Sequence, residues 1–140
     1  MSKGWIAVDL DGTLAEYGKW KGIEHIGDPV PLMLARVKRW LSEGKQVKIF
    51  TARANAQEAI PYIQKWCRKH IGQVLPITAT KDYGMIELWD DRCVQVVANT
   101  GRPVSAALNE MEDDQQELDE IREQHNTLAI KDPTMEIDRF

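Results

Sequence analysis

Short apolar runs alternate along this chain with longer segments whose apolar residues recur at the spacing of a helix. The runs of strand length are Trp5–Val8, Gln46–Phe50, Leu75–Thr78 and Met85–Trp89, and a further apolar run spans Val94–Ala98. Helical patterns lie between the early runs, which is the βαβ order of a parallel sheet with helical crossovers. We therefore predict an α/β domain built on a mainly parallel sheet.

The first helical segment is predicted to start at Asp28 and Pro29, with Asp28 as its cap and Pro29 as its first residue. Pro31, two positions later, leaves that start open. The helix should run to about Glu43 and stop at Gly44. Its buried face would consist of Met33, Val37, Trp40 and Leu41.

The second helical segment has two features that conflict. Asn55 and Glu58 have the spacing of a capping box, which places the helix start at Asn55. Pro61 lies inside the pattern and predicts either a kink or a later start. The apolar face recurs at Ile60, Ile63, Cys67 and Ile71.

Two carboxylates one residue apart follow the first strand. Side chains alternate between the two faces of a strand, so Asp9 and Asp11 project the same way from its carboxyl end. Gly12 lets the chain leave the strand in a conformation that a Cβ would resist, and Thr13 adds a hydroxyl and a backbone donor. Taken alone, the segment fits a strand that ends in an Asp-Gly turn equally well.

Further polar residues follow the other predicted strands, namely Thr51, Lys81, and Asp90 with Asp91. The carboxyl ends of parallel strands share one edge of the sheet, where ligands bind, so these residues are expected to form one site. One carboxylate can form an acyl phosphate while its neighbour carries a proton to the leaving group and later takes one from water. Mg²⁺ relieves the repulsion between the acids, and Thr51 and Lys81 can hold phosphoryl oxygens.

In type and order these residues resemble the four motifs of the haloacid dehalogenase (HAD) superfamily of phosphohydrolases. The similar segments are Asp9-Leu10-Asp11-Gly12-Thr13-Leu14, Val47–Thr51, Lys81 and Trp89-Asp90-Asp91. The resemblance covers about residues 5–101. It implies a three-layer α/β/α sandwich with a Rossmann-like sheet.

The resemblance also implies roles for individual residues. Asp9 would be the nucleophile and Asp11 the general acid/base, while Thr51 and Lys81 would bind the phosphate. Mg²⁺ would be held by Asp9, by the backbone carbonyl of Asp11, and by Asp90 or Asp91. Members of the superfamily usually place a helix between the lysine and the fourth-motif strand, and here only residues 82–84 separate the two. The alternative for Lys81 is a solvated loop lysine.

HAD enzymes often carry a cap domain, and neither usual insertion point in this chain has room for one. Residues 15–27 can form only a flap, and residues 52–80 are taken up by one helix and one strand. An uncapped site favours a large substrate, such as a nucleic acid end, or a small substrate enclosed by a neighbouring subunit.

The candidate substrate contacts are Gly12, Thr13, Trp20, Ala52, Arg53 and Arg92. Tyr17 and Trp20, flanked by lysines, can stack a base or sugar beside a phosphate, or they can simply cover the edge of the core. Arg53 and Arg92 either touch substrate or pair with local acids. A weaker similarity links Thr51-Ala52-Arg53 and Asp90-Asp91-Arg92 to the phosphatase half of polynucleotide kinase/phosphatase enzymes.

Charge is distributed unevenly along the 140 residues. Residues 1–104 carry 15 Lys and Arg against 11 Asp and Glu, a net charge of +4, while residues 105–140 carry 3 against 11, a net charge of −8. The body therefore suits an anionic substrate. We predict a catalytic domain over residues 1–103. Residues 104–140 would form an acidic helix and tail, either packed on the body or forming a homo-oligomer.

The sequence has no run of apolar residues long enough to span a membrane and leaves no room for a signal peptide before the first strand. We expect a cytoplasmic protein without a membrane partner. Cys67 and Cys93 match no metal spacing and are expected to be buried reduced thiols.

The function we expect is a Mg²⁺-dependent phosphomonoesterase that acts through a phosphoaspartate on a small ester such as a nucleotide or sugar phosphate. One alternative is a phosphatase for the 3′ or 5′ end of a nucleic acid. Another is a regulatory module that binds metal and phosphate with little turnover.

Overall fold

The computed structural model of the chain describes residues 3–104 and 115–124, and the chain divides into two compact units, residues 1–93 and 94–140. The first unit contains, in order, β1 (Trp5–Val8), α1 (Pro31–Ser42), β2 (Gln46–Phe50), α2 (Ile60–His70), β3 (Ile77–Thr78) and β4 (Met85–Trp89). Two short 3₁₀ turns, Ala52–Asn55 and Gln57–Ala59, connect β2 to α2.

The four strands form one parallel sheet in the order β3-β2-β1-β4. At the carboxyl end of the central strand β1, Val8 pairs with Ile49 of β2 and with Trp89 of β4. All four residues of β1 are buried, as is typical of a central strand in a parallel sheet. The predicted α/β fold with a Rossmann-like parallel sheet is confirmed.

The core of the first unit lies against one face of the sheet. Ile6 and Val8 of β1 share that face with Val47 and Ile49 of β2, because side chains alternate along a strand. The helix residues in the same buried cluster are Met33, Val37 and Trp40 from α1 and Ile63, Trp66 and Cys67 from α2. Burial of each large apolar side chain stabilises the fold by about 1.5–3 kcal/mol, so this packing holds the ends of β1 and β2 side by side.

The start of α1 differs from the prediction. Its N-cap is Val30 and Pro31 stands at its amino end, so the expected start at Asp28 and Pro29 is wrong. The reason is tertiary: the Val30 N–H donates to the Leu14 carbonyl, and the Asp28 carbonyl accepts from Glu16. Residues 28–30 are therefore extended, and the helix begins only after that pairing ends.

The start of α2 also lies later than the capping-box spacing indicates. The helix begins at Ile60 with Pro61 in its first turn, so the later start that Pro61 predicts is confirmed and the cap at Asn55 is wrong. Residues 52–59 instead form the two 3₁₀ turns, the first of which is capped by the Thr51 side chain.

The segment predicted as a flap, residues 15–27, begins with two paired residues, so the flap itself consists of residues 17–27. Ala15 bridges to Pro29, and Glu16 donates to Asp28, so the two ends of the flap are held together. Trp66 of α2 donates its indole N–H to the Gly27 carbonyl at 2.9 Å. These contacts tie the base of the flap to the core.

A tight turn replaces a helix before β4. Asp82 accepts from the Trp5 indole and from the Gly84 N–H, both at 2.8 Å. These hydrogen bonds favour the charged carboxylate and lower the pKa of Asp82. Lys81 and Tyr83 on this turn are exposed.

The second unit is described at residues 94–104 and 115–124. Val96 and Pro103 form an isolated bridge around a turn in which Asn99 has a positive φ of 67°. Val94, in the fifth apolar run, is exposed. The sequence predicts a narrow apolar stripe on the acidic helix, formed by Ala107, Met111, Leu118 and Ile121. Residues 115–124 are helical and exposed, Leu118 and Ile121 included, whereas Ala107 and Met111 lie outside the described residues.

Cys67 is a buried free thiol as predicted, and burial raises its pKa. Cys93 is free but exposed, so its predicted burial is wrong. Within the described part of the chain, no helix combines the length and apolarity that crossing a bilayer requires.

Candidate functional site

The parallel register brings acids from β1 and β4 to one edge of the sheet. Asp9 follows β1 directly, and its backbone N–H donates to the carbonyl of Trp89, the last residue of β4, at 2.9 Å. Asp90 and Asp91 come immediately after Trp89, so they lie beside Asp9 although about 80 positions separate them in sequence. The predicted meeting of these strand ends is observed.

Asp9, Asp90 and Asp91 each offer a carboxylate oxygen within 4.8 Å of the other two. Asp9 and Asp90 are half-buried, and Asp91 is exposed. Burial, together with the neighbouring Asp90 and Asp91 carboxylates, raises the pKa of Asp9 to about 7. Three carboxylates this close together repel one another, and a hard divalent cation such as Mg²⁺, which prefers oxygen ligands, would remove that repulsion.

Thr13 holds two of these acids in place. Its hydroxyl accepts from the Asp91 backbone N–H at 3.0 Å, and it lies 3.3 Å from a carboxylate oxygen of both Asp9 and Asp91. The single hydroxyl hydrogen can be donated to either carboxylate. Thr13 therefore positions the acidic cluster from the loop after β1.

Gly12 makes room for Asp91. Its φ is +92°, and a Cβ at this position would lie 2.5 Å from the Asp91 Oδ2 atom. Any side chain would therefore be strained by the backbone conformation and would also displace a member of the cluster. Gly12 and Thr13 support Asp91, and neither of them lines the cavity around the acidic cluster.

Asp11 points its carboxylate to a different partner. Arg53 donates from Nε to Asp11 Oδ2 at 2.7 Å and from Nη2 to Oδ1 at 2.9 Å. Such a bidentate pair fixes the plane of the carboxylate. Asp11 is thus adjacent to the cluster in the chain, but its side-chain oxygens are held by Arg53.

Arg53 also binds the flap. Its Nη1 donates to the Ile23 carbonyl at 3.2 Å, and Nη2 donates to the His25 carbonyl at 3.0 Å. The Trp20 ring lies over the guanidinium, with 4.8 Å between the Arg53 Cζ atom and the ring centroid. Arg53 is only 8% exposed. It therefore connects the end of β2, the acid on the loop after β1 and the flap.

A cavity of about 700 Å³ contains these groups. Its lining includes Asp9, Asp11, Thr51, Ala52, Arg53, Asp90, Asp91 and Arg92, together with Tyr17, Trp20 and Ile23 of the flap. Thr51 is buried, and its Oγ1 accepts from the Arg53 backbone N–H at 3.2 Å. The hydroxyl hydrogen of Thr51 can still be donated to a ligand in the cavity.

The structure does not bring Lys81 to this cavity. Lys81 is exposed on the turn before β4 and is not one of the lining residues, whereas Arg53 and Arg92 are. Arg53 is occupied by Asp11 and the flap, whereas Arg92 is an exposed residue of the lining. The Arg92 backbone N–H donates to Asp90 Oδ1 at 2.8 Å, which places it beside the cluster.

Some features of the site carry no clear sequence signal. The candidate contacts Trp20, Ala52, Arg53 and Arg92 do line the cavity, and so do Asn55, Ala56, Ala59 and Ala79, which were not predicted. The pairing of Arg53 with a local acid was one of two alternatives. Its bonds to the Ile23 and His25 carbonyls use backbone atoms, which no residue type reveals.

This chain resembles a solved protein structure at the level of fold. No protein-family model matches the chain, and no curated protein matches it. A solved structure described as that of a conserved protein coded by a locus from Bacteroides thetaiotaomicron aligns with a TM-score of 0.50 and 21% identity. The alignment covers 81% of this chain and 93% of that one. At this identity the likeness supports the α/β fold alone.

Proposed function

We propose that the protein is a Mg²⁺-dependent phosphomonoesterase whose nucleophile is Asp9. The observation that carries this proposal is the carboxylate cluster of Asp9, Asp90 and Asp91 at the carboxyl ends of β1 and β4. It lines the same cavity as Asp11 and Thr51. The order of these residues along a parallel α/β sheet agrees with the HAD resemblance of the sequence.

The donor set favours Mg²⁺ as the cofactor. Asp9, Asp90 and Asp91 supply carboxylate oxygens, and the HAD resemblance adds the backbone carbonyl of Asp11. When bound, the cation neutralises the acids and stabilises charge on a phosphoryl group. Gly12 and Thr13 support the fit, because they leave space for the Asp91 carboxylate and hold it beside Asp9.

In the proposed reaction, an Asp9 carboxylate oxygen attacks phosphorus in line and the ester P–O bond breaks. Asp11 enters this step as the carboxylic acid and gives its proton to the departing alcohol oxygen. Asp11 then takes a proton from water, whose oxygen attacks the phosphorus of the acyl phosphate, so that inorganic phosphate leaves and Asp9 is restored. Because both Asp11 oxygens accept from Arg53, one of these hydrogen bonds must be exchanged for the alcohol oxygen.

The phosphoryl oxygens need donors during this transfer. Thr51 supplies a hydroxyl from the end of β2. Arg92 supplies positive charge from the loop after β4, the contribution that the family resemblance assigns to Lys81. Preorganised donors of this kind stabilise the charge that develops on the transferred group.

Two alternatives have specific support. A second cavity of about 450 Å³ shares Asp11, Tyr17 and Arg53 with the first, and its lining adds Lys19, Lys21 and His25 as well as the acids Glu16 and Asp28. Its two lysines supply positive charge for a further phosphate, as on a nucleic acid end. A low-turnover binding module is supported by the position of Lys81 outside the cavity and by the engagement of Asp11 with Arg53.

Phosphate release from a broad panel of monoesters with Mg²⁺ tests the proposal. The panel contains an aryl phosphate, nucleotides, sugar phosphates and oligonucleotides phosphorylated at the 3′ or 5′ end. We expect turnover that Asp9→Asn abolishes without unfolding the protein. Mg²⁺ binding without hydrolysis of any ester would instead support the binding module.

A further inference from the structure

The cavity that holds the acidic cluster is otherwise mainly apolar. Its apolar lining consists of Tyr17, Trp20, Ile23, Phe50, Ala52, Ala56, Ala59 and Ala79. The uncharged polar side chains that line it are Thr51, Asn55 and the Tyr17 hydroxyl. An alcohol rich in hydroxyl groups therefore finds few uncharged partners there, because the charged lining groups are those assigned to the cation, to the phosphate and to the Asp11–Arg53 pair.

The flap presents one aromatic ring in a fixed position. The in-plane donors of Arg53 point to Asp11 and to two flap carbonyls, so the face of the guanidinium is what remains for Trp20. The Arg53 Cζ atom lies over the face of the Trp20 ring, 4.8 Å from the ring centroid. Arg53 is 8% exposed and Trp20 is 55% exposed, so the side of the indole away from Arg53 is open.

A ring held in this way is prepared for stacking. A cation on one face anchors the indole, so a second planar group on the open face needs little further ordering of the protein. Tyr17, which is 42% exposed, lines the same cavity from the same flap. Aromatic platforms beside a phosphate site recognise bases because every base has a π face.

We propose that Trp20, assisted by Tyr17, selects phosphate monoesters whose alcohol carries a planar aromatic group, with a nucleobase as the natural case. This inference rests on the proposed phosphomonoesterase function and narrows its substrate class from nucleotides or sugar phosphates to base-bearing esters. A free nucleoside monophosphate and a phosphorylated nucleic acid end both carry a base next to a phosphate ester. The experiment below distinguishes these two substrates.

The experiment compares Trp20→Ala, Trp20→Phe and Tyr83→Ala in the full chain with Mg²⁺. Tyr83→Ala is the matched control, because Tyr83 is a fully exposed aromatic residue on the turn before β4 and does not line the cavity. Each protein is assayed with a nucleoside monophosphate, glucose 6-phosphate and a phosphorylated oligonucleotide. Higher kcat/KM for the oligonucleotide, lost at high salt, would identify the nucleic acid end as the source of the base.

We expect the unsubstituted protein to prefer the nucleotide over the sugar phosphate. Trp20→Ala should lower the ratio of kcat/KM for base-bearing esters to kcat/KM for glucose 6-phosphate by about tenfold to a hundredfold, the usual effect of losing one stacking platform. Trp20→Phe should retain most of the preference, and Tyr83→Ala all of it. An equal effect of Trp20→Ala on both ester classes, or none on either, would overturn the inference.

The two proposals fail in different ways. Hydrolysis of sugar phosphates as efficiently as nucleotides would leave the phosphomonoesterase intact and refute the role of Trp20. If no ester is hydrolysed, the proposed function fails, and calorimetric titration with a nucleoside monophosphate and Mg²⁺ decides the inference. A Kd at least about tenfold weaker in Trp20→Ala would support it, and an unchanged Kd would refute it.

Discussion

Arg53 and Asp11 form a bidentate ion pair, with Nε 2.7 Å from Oδ2 and Nη2 2.9 Å from Oδ1. The two residues are 42 positions apart, on the loops that follow β2 and β1. The side chain of Arg53 is 6% exposed and that of Asp11 is 22% exposed, so water screens the pair only in part. The Arg53 guanidinium therefore holds both Asp11, the proposed general acid/base, and the flap.

Replacing Arg53 should therefore affect stability and the flap together. We expect Arg53→Gln to lower the free energy of unfolding by roughly 2 kcal/mol, below the 3–5 kcal/mol of fully buried pairs because Asp11 is partly exposed. Urea unfolding measures this change, and limited proteolysis within residues 17–27 should become faster. Arg92→Gln is the control and should leave both unchanged. A stable Arg53→Gln protein with a protected flap would contradict this role.

Gly12 should be essential for the acidic cluster. In Gly12→Ala the new methyl group would lie 2.5 Å from Asp91 Oδ2, and a φ of +92° is itself strained for alanine. We expect Mg²⁺ affinity, measured by calorimetry, to fall by about tenfold or more, since loss of a well-placed ligand typically costs at least that much. Gly18→Ala has open space around it and should bind Mg²⁺ normally. Equal affinities in the two variants would refute the steric account.

Mg²⁺ binding should depend on pH through Asp9. Burial and the neighbouring Asp90 and Asp91 carboxylates raise the pKa of Asp9 to about 7, so below that pH a proton competes with the cation. The apparent Kd for Mg²⁺ should fall about tenfold per pH unit as pH rises from about 5 to 7, and then level off. A Kd that does not change over this range would contradict an Asp9 ligand whose pKa is raised to about 7.

The same shift affects stability without Mg²⁺. Because the pKa of Asp9 is higher in the folded protein than in the unfolded chain, the folded state binds the proton more tightly. The contribution of Asp9 to stability is thus complete below about pH 4 and is lost as pH rises through about 7. In Asp9→Asn this part of the pH dependence of Tm should be absent. In the unsubstituted protein, bound Mg²⁺ should offset the loss of stability that occurs as the pH rises.

Substitutions of Arg92 and Lys81 should affect catalysis differently. Arg92 lines the cavity beside the cluster, and Lys81 is exposed on the turn before β4. We expect Arg92→Ala to reduce kcat/KM for a phosphate ester by about tenfold to a thousandfold, as for other donors to developing charge, and Lys81→Ala to change it by less than about threefold. If steady-state kinetics show a larger loss of kcat/KM in Lys81→Ala than in Arg92→Ala, Lys81 rather than Arg92 binds the phosphate.

Most strands, and the acids that follow β1 and β4, could be predicted from the sequence. The third strand, Ile77–Thr78, is shorter than the predicted run Leu75–Thr78, and Lys81 does not join the site. Runs such as Gln46–Phe50 and Met85–Trp89 have the bounds that the structure shows, because a parallel strand is a short apolar run. Asp9 and Asp90 follow such runs directly, and all parallel strands end at one edge. The meeting of these acids therefore follows from local patterns and topology alone.

The helix starts and the role of Arg53 could not be predicted in this way. Pro29 stays outside α1 because residues 28–30 pair with residues 14–16, a tertiary interaction that a capping pattern does not include. Arg53 is held by Asp11 and by carbonyls of residues 23 and 25, all between 28 and 42 positions away. Sequence reasoning supplied candidate partners for Arg53, but only the fold selects among them.

Direct detection of a phosphate covalently bound to Asp9 tests the central claim most sharply. The protein is incubated with Mg²⁺ and a hydrolysable aryl phosphate, quenched in acid, and mapped by peptide mass spectrometry, with Asp9→Asn as the control. We predict one phosphoryl group on the peptide that contains Asp9, labile to hydroxylamine as an acyl phosphate is, and none in Asp9→Asn. Phosphate release in Asp9→Asn at the rate of the unsubstituted protein, or a phosphoryl group on another residue, would contradict the account.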